Sequence, residues 1–172
     1  MFEIVRLFYD ILLFKKGPED VPFSPLLTRL TLVVYALVSF LMICMSSRWF
    51  HALLEMATDI VILIIFTRVA LAWVHQSERY QQTFCALLGT DALITLCAIP
   101  ATATMLIPSG EIPVLGFFIV LGLMLWHWAV IGHILSHALS QSLSFGLGLA
   151  LLYIIAAYQI IALLFPPIRV SG

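Results

Sequence analysis

Apolar residues run in five long stretches along this chain, and short segments between them hold most of the polar residues. Each stretch supplies about the 20 apolar residues that a helix needs to cross roughly 30 Å of hydrocarbon. The pattern predicts an all-α fold: a polytopic transmembrane helix bundle that forms one domain over residues 1–172. The predicted spans cover about 26–46, 51–75, 83–107, 114–137 and 142–165.

Composition supports this class of protein. Hydrophobic residues make up 63% of the chain and charged residues 10%, and the mean hydropathy is +1.13. A water-soluble domain of this size could not cover so much apolar surface. Because helices and short turns account for almost the whole chain, we expect no soluble catalytic domain and no enzyme activity. The formal net charge of −1 gives no basic field of the kind that attracts nucleic acid.

The first 16 residues are apolar but interrupted by charge. Glu3, Arg6 and Asp10 recur at spacings of three and four, which places them on one face of a helix. The stretch is too short and too charged to span a membrane. It predicts an amphipathic helix that lies in the membrane interface, with the two following lysines near anionic lipid. Packing of the same helix against the bundle is compatible with that position.

Basic residues predict the orientation. Arg6, Lys15, Lys16 and Arg29 precede or open the first span, whereas the turn between spans three and four has no lysine or arginine. Cytoplasmic segments carry an excess of basic residues. We therefore predict a cytoplasmic N-terminus, in a protein of the bacterial inner (plasma) membrane. Five crossings then place the C-terminus on the other side.

Small residues predict close contacts between the last two spans. Gly132 and Ser136 lie four residues apart in span four, and Ser144 and Gly148 lie four apart in span five. This spacing lets the backbones of neighbouring helices approach each other and pack by dispersion. We expect both pairs to face a helix contact.

Ionisable residues inside the predicted spans are candidates for function because they are costly in hydrocarbon. Span two carries Glu55, Asp59 and Arg68, and span three carries Asp91. In an antiparallel hairpin, Arg68 could reach Asp91, and we predict an ion pair between them. That pair either fixes the register of two helices or belongs to a polar path for transport.

Histidines in span four raise the possibility of a metal or haem site. His133 and His137 are four residues apart and face one way, which is a spacing used by two metal ligands. Both fall near the predicted cytoplasmic interface, where histidine is readily hydrated, and Asp91 is only a candidate for a third ligand. We therefore predict no catalytic residue, no metal and no cofactor. The candidate intramembrane polar cluster comprises Glu55, Asp59, Arg68, Asp91, His133 and His137.

Two stretches in the second half of the chain, together with one near its start, resemble the Yip1-domain family of membrane proteins. They are ERYQQTFCALLGTDALITLCAIP at 78–100, WHWAVIGHILSHALSQSLSFGLGLALL at 126–152, and EDVPFSPLL before span one. The resemblance implies five spans, a cytoplasmic N-terminus and no catalytic residues. Eukaryotic members of that family are associated with Rab GTPases and Golgi vesicle traffic. This chain lacks the long cytoplasmic N-terminal region usual in those members, which argues against Rab binding.

Three hypotheses of function follow. The first is a non-enzymatic integral membrane protein, acting as a scaffold, a membrane organiser or a small subunit of a larger assembly. Its partners would be membrane lipids, other transmembrane proteins or further copies of itself. The second is a small oligomeric transporter or channel that uses Glu55, Asp59, Arg68 and Asp91. The third is a metal- or haem-binding membrane redox protein that uses His127, His133 and His137.

Overall fold

A computed structural model describes residues 2–106 and 114–166 of the chain, and the regular structure within these residues is entirely helical. Five of its helices are long and apolar enough to cross a membrane. The prediction of an all-α polytopic bundle is confirmed. The helices are α1 (Phe2–Leu12), α2 (Pro25–Cys44), α3 (Trp49–Trp73), α4 (Tyr80–Met105), α5 (Val114–Ala138) and α6 (Leu143–Leu164), with short 3₁₀ turns at Pro18–Asp20 and Ser77–Arg79.

Local sequence signals determine where α2 and α6 begin. Pro25 opens α2, and the Ser24 hydroxyl accepts a hydrogen bond from the Leu27 amide at 3.3 Å. Proline suits this first position because its missing amide would have no partner there, and serine is a preferred N-cap. Ser142 caps α6 in the same way, through the Phe145 amide at 3.3 Å. The two caps lie at one end of the bundle, which we call the α1 end.

Helix α4 occupies the centre of the bundle. Of the residues in its spanning segment 56% are buried, compared with 17% in each of the other four spans. It packs against α1, α2, α3 and α5. The other spans expose large apolar side chains on their outer faces, as helices in contact with lipid do. Most of the protein's interior is therefore built around one helix.

Helices α5 and α6 approach each other at glycine. Gly146 lies against the backbone of α5 at Gly132 and Ser136, so that a Cβ on Gly146 would fall 2.9 Å from the Ser136 nitrogen. The predicted contact face is thus confirmed for α5. On α6 the prediction is wrong: Ser144 and Gly148 are exposed, and a Cβ on Gly148 would meet nothing within 4 Å.

Helix α1 is packed against the bundle. Leu7, Phe8, Ile11 and Leu12 are buried, and the Phe8 ring lies so close to Gly89 of α4 that a Cβ there would be 2.5 Å from it. The indole nitrogen of Trp126 donates a hydrogen bond to the Leu12 carbonyl at 3.0 Å. These contacts show the docked arrangement. The position of α1 in a membrane interface stays a prediction.

The docking of α1 predicts a sharp difference in labelling between two neighbouring positions. In a background without the native cysteines, Ile11→Cys should react slowly with a water-soluble thiol reagent, because Ile11 is fully buried. Tyr9→Cys should react quickly, because Tyr9 is 56% exposed on the same helix. Equal, fast labelling at both positions in membranes would show that α1 is detached from the bundle.

Candidate functional site

Each of the five spans contributes one ionisable side chain to the middle of the bundle. Every one of these residues lies at least nine residues from either end of its helix, or about 14 Å along the axis. That depth corresponds to the centre of a bilayer. We call this set the central cluster; it consists of Tyr35 of α2, Asp59 of α3, Asp91 of α4, His127 of α5 and Tyr153 of α6.

The first contact in the central cluster joins α2 to α3. The Tyr35 hydroxyl donates a short hydrogen bond to Oδ2 of Asp59, and Tyr35 is only 1% exposed. Asp91 and His127 lie within electrostatic range of the Asp59 carboxylate. The contact therefore provides the partly buried Asp59 carboxylate with one donor and leaves it close to a second acidic group.

The second contact joins α4 to α5. Nε2 of His127 lies 3.2 Å from Oδ1 of Asp91, and the Thr95 hydroxyl is 3.4 Å from the same oxygen. Both side chains of the pair are between one fifth and one third exposed in the isolated chain. The pair can carry a proton on either partner and is neutral as a whole with one dissociable proton.

The predicted ion pair between Arg68 and Asp91 is wrong. Arg68 instead places its guanidinium 5.0 Å from the centre of the Tyr80 ring, a cation–π contact. Depth explains the difference. Arg68 lies five residues from the α1 end of α3, whereas Asp91 lies eleven residues from the α1 end of α4, about 9 Å deeper. His127 reaches Asp91 because it sits at the same depth on α5.

Tyr153 completes the central cluster beside a small cavity. The cavity measures about 10 Å³ and is lined by Asp91, His127 and Tyr153, together with the apolar residues Leu63, Phe66, Leu87 and Ile131. Tyr153 is 8% exposed, and its hydroxyl lies within electrostatic range of both Asp59 and Asp91. No hydrogen bond to that hydroxyl is present among residues 2–106 and 114–166. A space of this size holds about one water molecule.

Glu55 lies outside the central cluster. It faces the opposite end of α3, where it lines a cavity of about 340 Å³ with Arg48, His51, Ser46 and Ser47. Four residues separate Glu55 from Asp59 along α3, so the two carboxylates share a face but not a site. Glu55 thus belongs to the end of the bundle distant from α1.

His133 and His137 bind the segment that follows α1. Nε2 of His133 contacts the Lys16 carbonyl oxygen at 3.0 Å, and Nδ1 of His137 contacts Oε1 of Glu19 at 2.8 Å. The Arg79 guanidinium donates hydrogen bonds nearby, to the His137 carbonyl at 3.2 Å and to the Ser140 hydroxyl at 3.1 Å. Together these residues surround an open cavity of about 570 Å³ at the α1 end. Their contacts hold the N-terminal segment and the α5–α6 turn in place.

The six predicted site residues are therefore divided among four places. Asp59 and Asp91 lie in the central cluster, Arg68 stacks on Tyr80 and Glu55 faces the far end of the bundle, while His133 and His137 lie at the α1 end. Among the described parts of the chain, no three His, Cys, Asp or Glu side chains form a group that could hold a metal ion.

Sequence reasoning missed Tyr35 and Tyr153. Both are tyrosines near the middle of an otherwise apolar span, and that central position was the available signal. Comparison with family models, with curated proteins and with solved structures finds no match to this chain. Membership of the Yip1-domain family therefore stays a prediction from the sequence.

Proposed function

We propose that this protein is a non-enzymatic component of the membrane, acting as a scaffold, an organiser or a small subunit of a larger assembly. The observation that carries this proposal is the shape of its accessible surface. Only residues 45–48 join α2 to α3, and only residues 139–142 join α5 to α6. The outer faces of the spans expose many large apolar side chains. Partners would therefore meet the protein within the membrane, as lipids or as transmembrane helices.

Photo-crosslinking in native membranes tests for such partners. A photoreactive amino acid would replace one exposed residue at a time: Leu37 of α2, Leu125 of α5 or Leu152 of α6, which are 58%, 58% and 62% exposed. Leu135 of α5, at 1% exposed, is the buried control. At least one exposed position should give a discrete protein adduct that the control lacks. Lipid adducts alone at all three exposed positions would contradict a scaffold or subunit role.

For its location we propose the bacterial inner (plasma) membrane, with the α1 end of the bundle in the cytoplasm. Six of the eight basic residues of the chain belong to that end: Arg6, Lys15, Lys16, Arg29, Arg68 and Arg79. Reporter fusions after Ser77 and after Gly172 should give opposite signals, with Ser77 on the cytoplasmic side. Matching signals at the two positions would contradict five crossings.

A second candidate function, a small oligomeric transporter, is favoured by the central cluster. Ionisable side chains in the middle of a membrane often mark ion or proton pathways. In proteoliposomes that contain a pH-sensitive dye, the wild-type protein should dissipate an imposed pH gradient faster than empty liposomes. Asp91→Asn should abolish the difference, whereas Glu78→Gln, at an exposed position, should not. Equal rates with and without the protein would contradict proton-linked transport.

The third hypothesis, a metal- or haem-binding redox protein, gains no support from the geometry. His133 and His137 are both engaged with the N-terminal segment, and His127 is engaged with Asp91. These three histidines do not converge on a common point, since His127 lies nearly two helical turns deeper than His133.

A further inference from the structure

The acidic side chains of the central cluster outnumber its basic ones. Asp59 and Asp91 are faced by a single imidazole, that of His127, and by the hydroxyls of Tyr35 and Tyr153. Arg68, the nearest basic residue along α3, is engaged with Tyr80. On α1, Asp10 pairs with Lys16 at 4.0 Å. Within the described residues, no lysine or arginine forms an ion pair with either carboxylate of the central cluster.

Charge at this depth is expensive. A single charged side chain at the centre of a bilayer costs a few kcal/mol or more, and two carboxylates that share a site oppose each other's ionisation. With both carboxylates ionised and the imidazole protonated, the central cluster would carry a net charge of −1. With both tyrosines neutral, it becomes neutral as a whole only when two dissociable protons are distributed over Asp59, Asp91 and His127. This count holds whichever group carries each proton.

A second, independent feature is the small cavity beside the His127–Asp91 pair. Tyr153 is only 8% exposed, no hydrogen bond joins its hydroxyl to another described residue, and its side chain lines the small cavity beside Asp91 and His127. The other lining residues are apolar. A metal cation such as Ca²⁺ needs six or more oxygen ligands, which this cavity cannot supply. It fits a proton, carried by one water molecule.

We propose that the central cluster is a proton-binding site that holds one exchangeable proton in addition to the proton of the His127–Asp91 pair. Asp59 carries this proton. Its Oδ2 accepts the hydrogen bond from Tyr35, while its Oδ1 has no partner among the described residues. Proton binding is a property in addition to the proposed role as a membrane component, and it does not require that the protein transports protons. If the protein binds this proton but shows no proton flux in proteoliposomes, the proton-binding site still holds. Only the transporter hypothesis would then be contradicted.

Infrared spectroscopy of the purified protein in nanodiscs tests the proposal directly. At neutral pH the spectrum should contain the carbonyl band of a protonated carboxylic acid, and the band should shift in D₂O. Labelling of aspartate with ¹³C at the side-chain carboxyl should move the band in the wild-type protein, which identifies aspartate without any substitution. Raising the pH should remove the band reversibly.

Two substitutions assign the proton to its residue. Asp59→Asn keeps the size of the side chain and its acceptor for Tyr35, and it should remove the band. Asp20→Asn, at an exposed position outside the spans, is the matched control and should leave the band unchanged. Absence of a protonated aspartate band from the labelled wild-type protein at neutral pH would overturn the proposal. A band that persists unchanged in folded Asp59→Asn would overturn the assignment to Asp59.

Discussion

Gly146→Ala should destabilise the protein strongly, whereas Gly148→Ala on the same helix should have almost no effect. A Cβ on Gly146 would collide with the Gly132 carbonyl oxygen and lie 2.9 Å from the Ser136 nitrogen. Both atoms belong to the backbone of α5, so the collision can be relieved only by separating the two helices. Overpacking of this kind costs about 3 kcal/mol. At Gly148 the added methyl group meets nothing within 4 Å, and alanine is the better helix former.

Unfolding in a mixture of mild detergent and denaturing surfactant measures the stability of both variants. The free energy of unfolding of Gly146→Ala should fall well below that of the wild-type protein, while the value for Gly148→Ala should equal or slightly exceed it. Gly132→Ala is a further check, because its Cβ would lie 3.0 Å from the Leu147 Cα. Similar losses at Gly146 and Gly148 would show that α5 and α6 do not pack through this face.

His127→Leu should be the most damaging single change in the central cluster. It leaves the Asp91 carboxylate without its partner at the middle of the membrane, where breaking a buried ion pair costs about 3 kcal/mol or more. Asp91→Leu should destabilise less, because it removes the carboxylate and leaves an imidazole that can stay neutral. The double variant should be more stable than the sum of the two single losses predicts.

A double-mutant cycle on the same unfolding measurement yields the coupling energy of the pair. The control is His133→Leu, since His133 lies at the α1 end, where its ring contacts the Lys16 carbonyl and the rings of Phe14 and His137. The cycle of His133→Leu with Asp91→Leu should give a coupling near zero. Additive losses for His127 and Asp91 would contradict the 3.2 Å contact between them.

Hydropathy was sufficient to predict the number and approximate bounds of the spans, because length and apolar content decide which segments can cross a bilayer. It could not predict which way each helix faces. In a soluble protein the polar face marks the outside, but here the lipid-facing and protein-facing surfaces are both apolar. This is why Gly148 was assigned to the contact that Gly146 makes, although the α5 residues Gly132 and Ser136 were placed correctly.

The partner of Asp91 was mispredicted for a different reason. Connectivity favoured Arg68 because α3 and α4 form a hairpin, but depth along the helix axis decides which side chains can meet. Asp91 and His127 each lie eleven residues from the α1 end of their helices. Counting residues from the helix ends would have identified this pair. The tyrosines of α2 and α6 lie at nearly the same depth, each ten residues from the α1 end of its helix.

The central position of α4 has a consequence for biosynthesis. During translation α4 enters the membrane before α5 and α6 exist, although it is the least hydrophobic span and the one most covered by protein in the finished fold. Until α5 follows, Asp91 lies in the membrane without His127. Stable insertion of α4 therefore depends on residues that the ribosome has not yet added. A chain that stops after α4 should be retained at the insertion machinery or degraded, while the same chain extended through α5 should leave it.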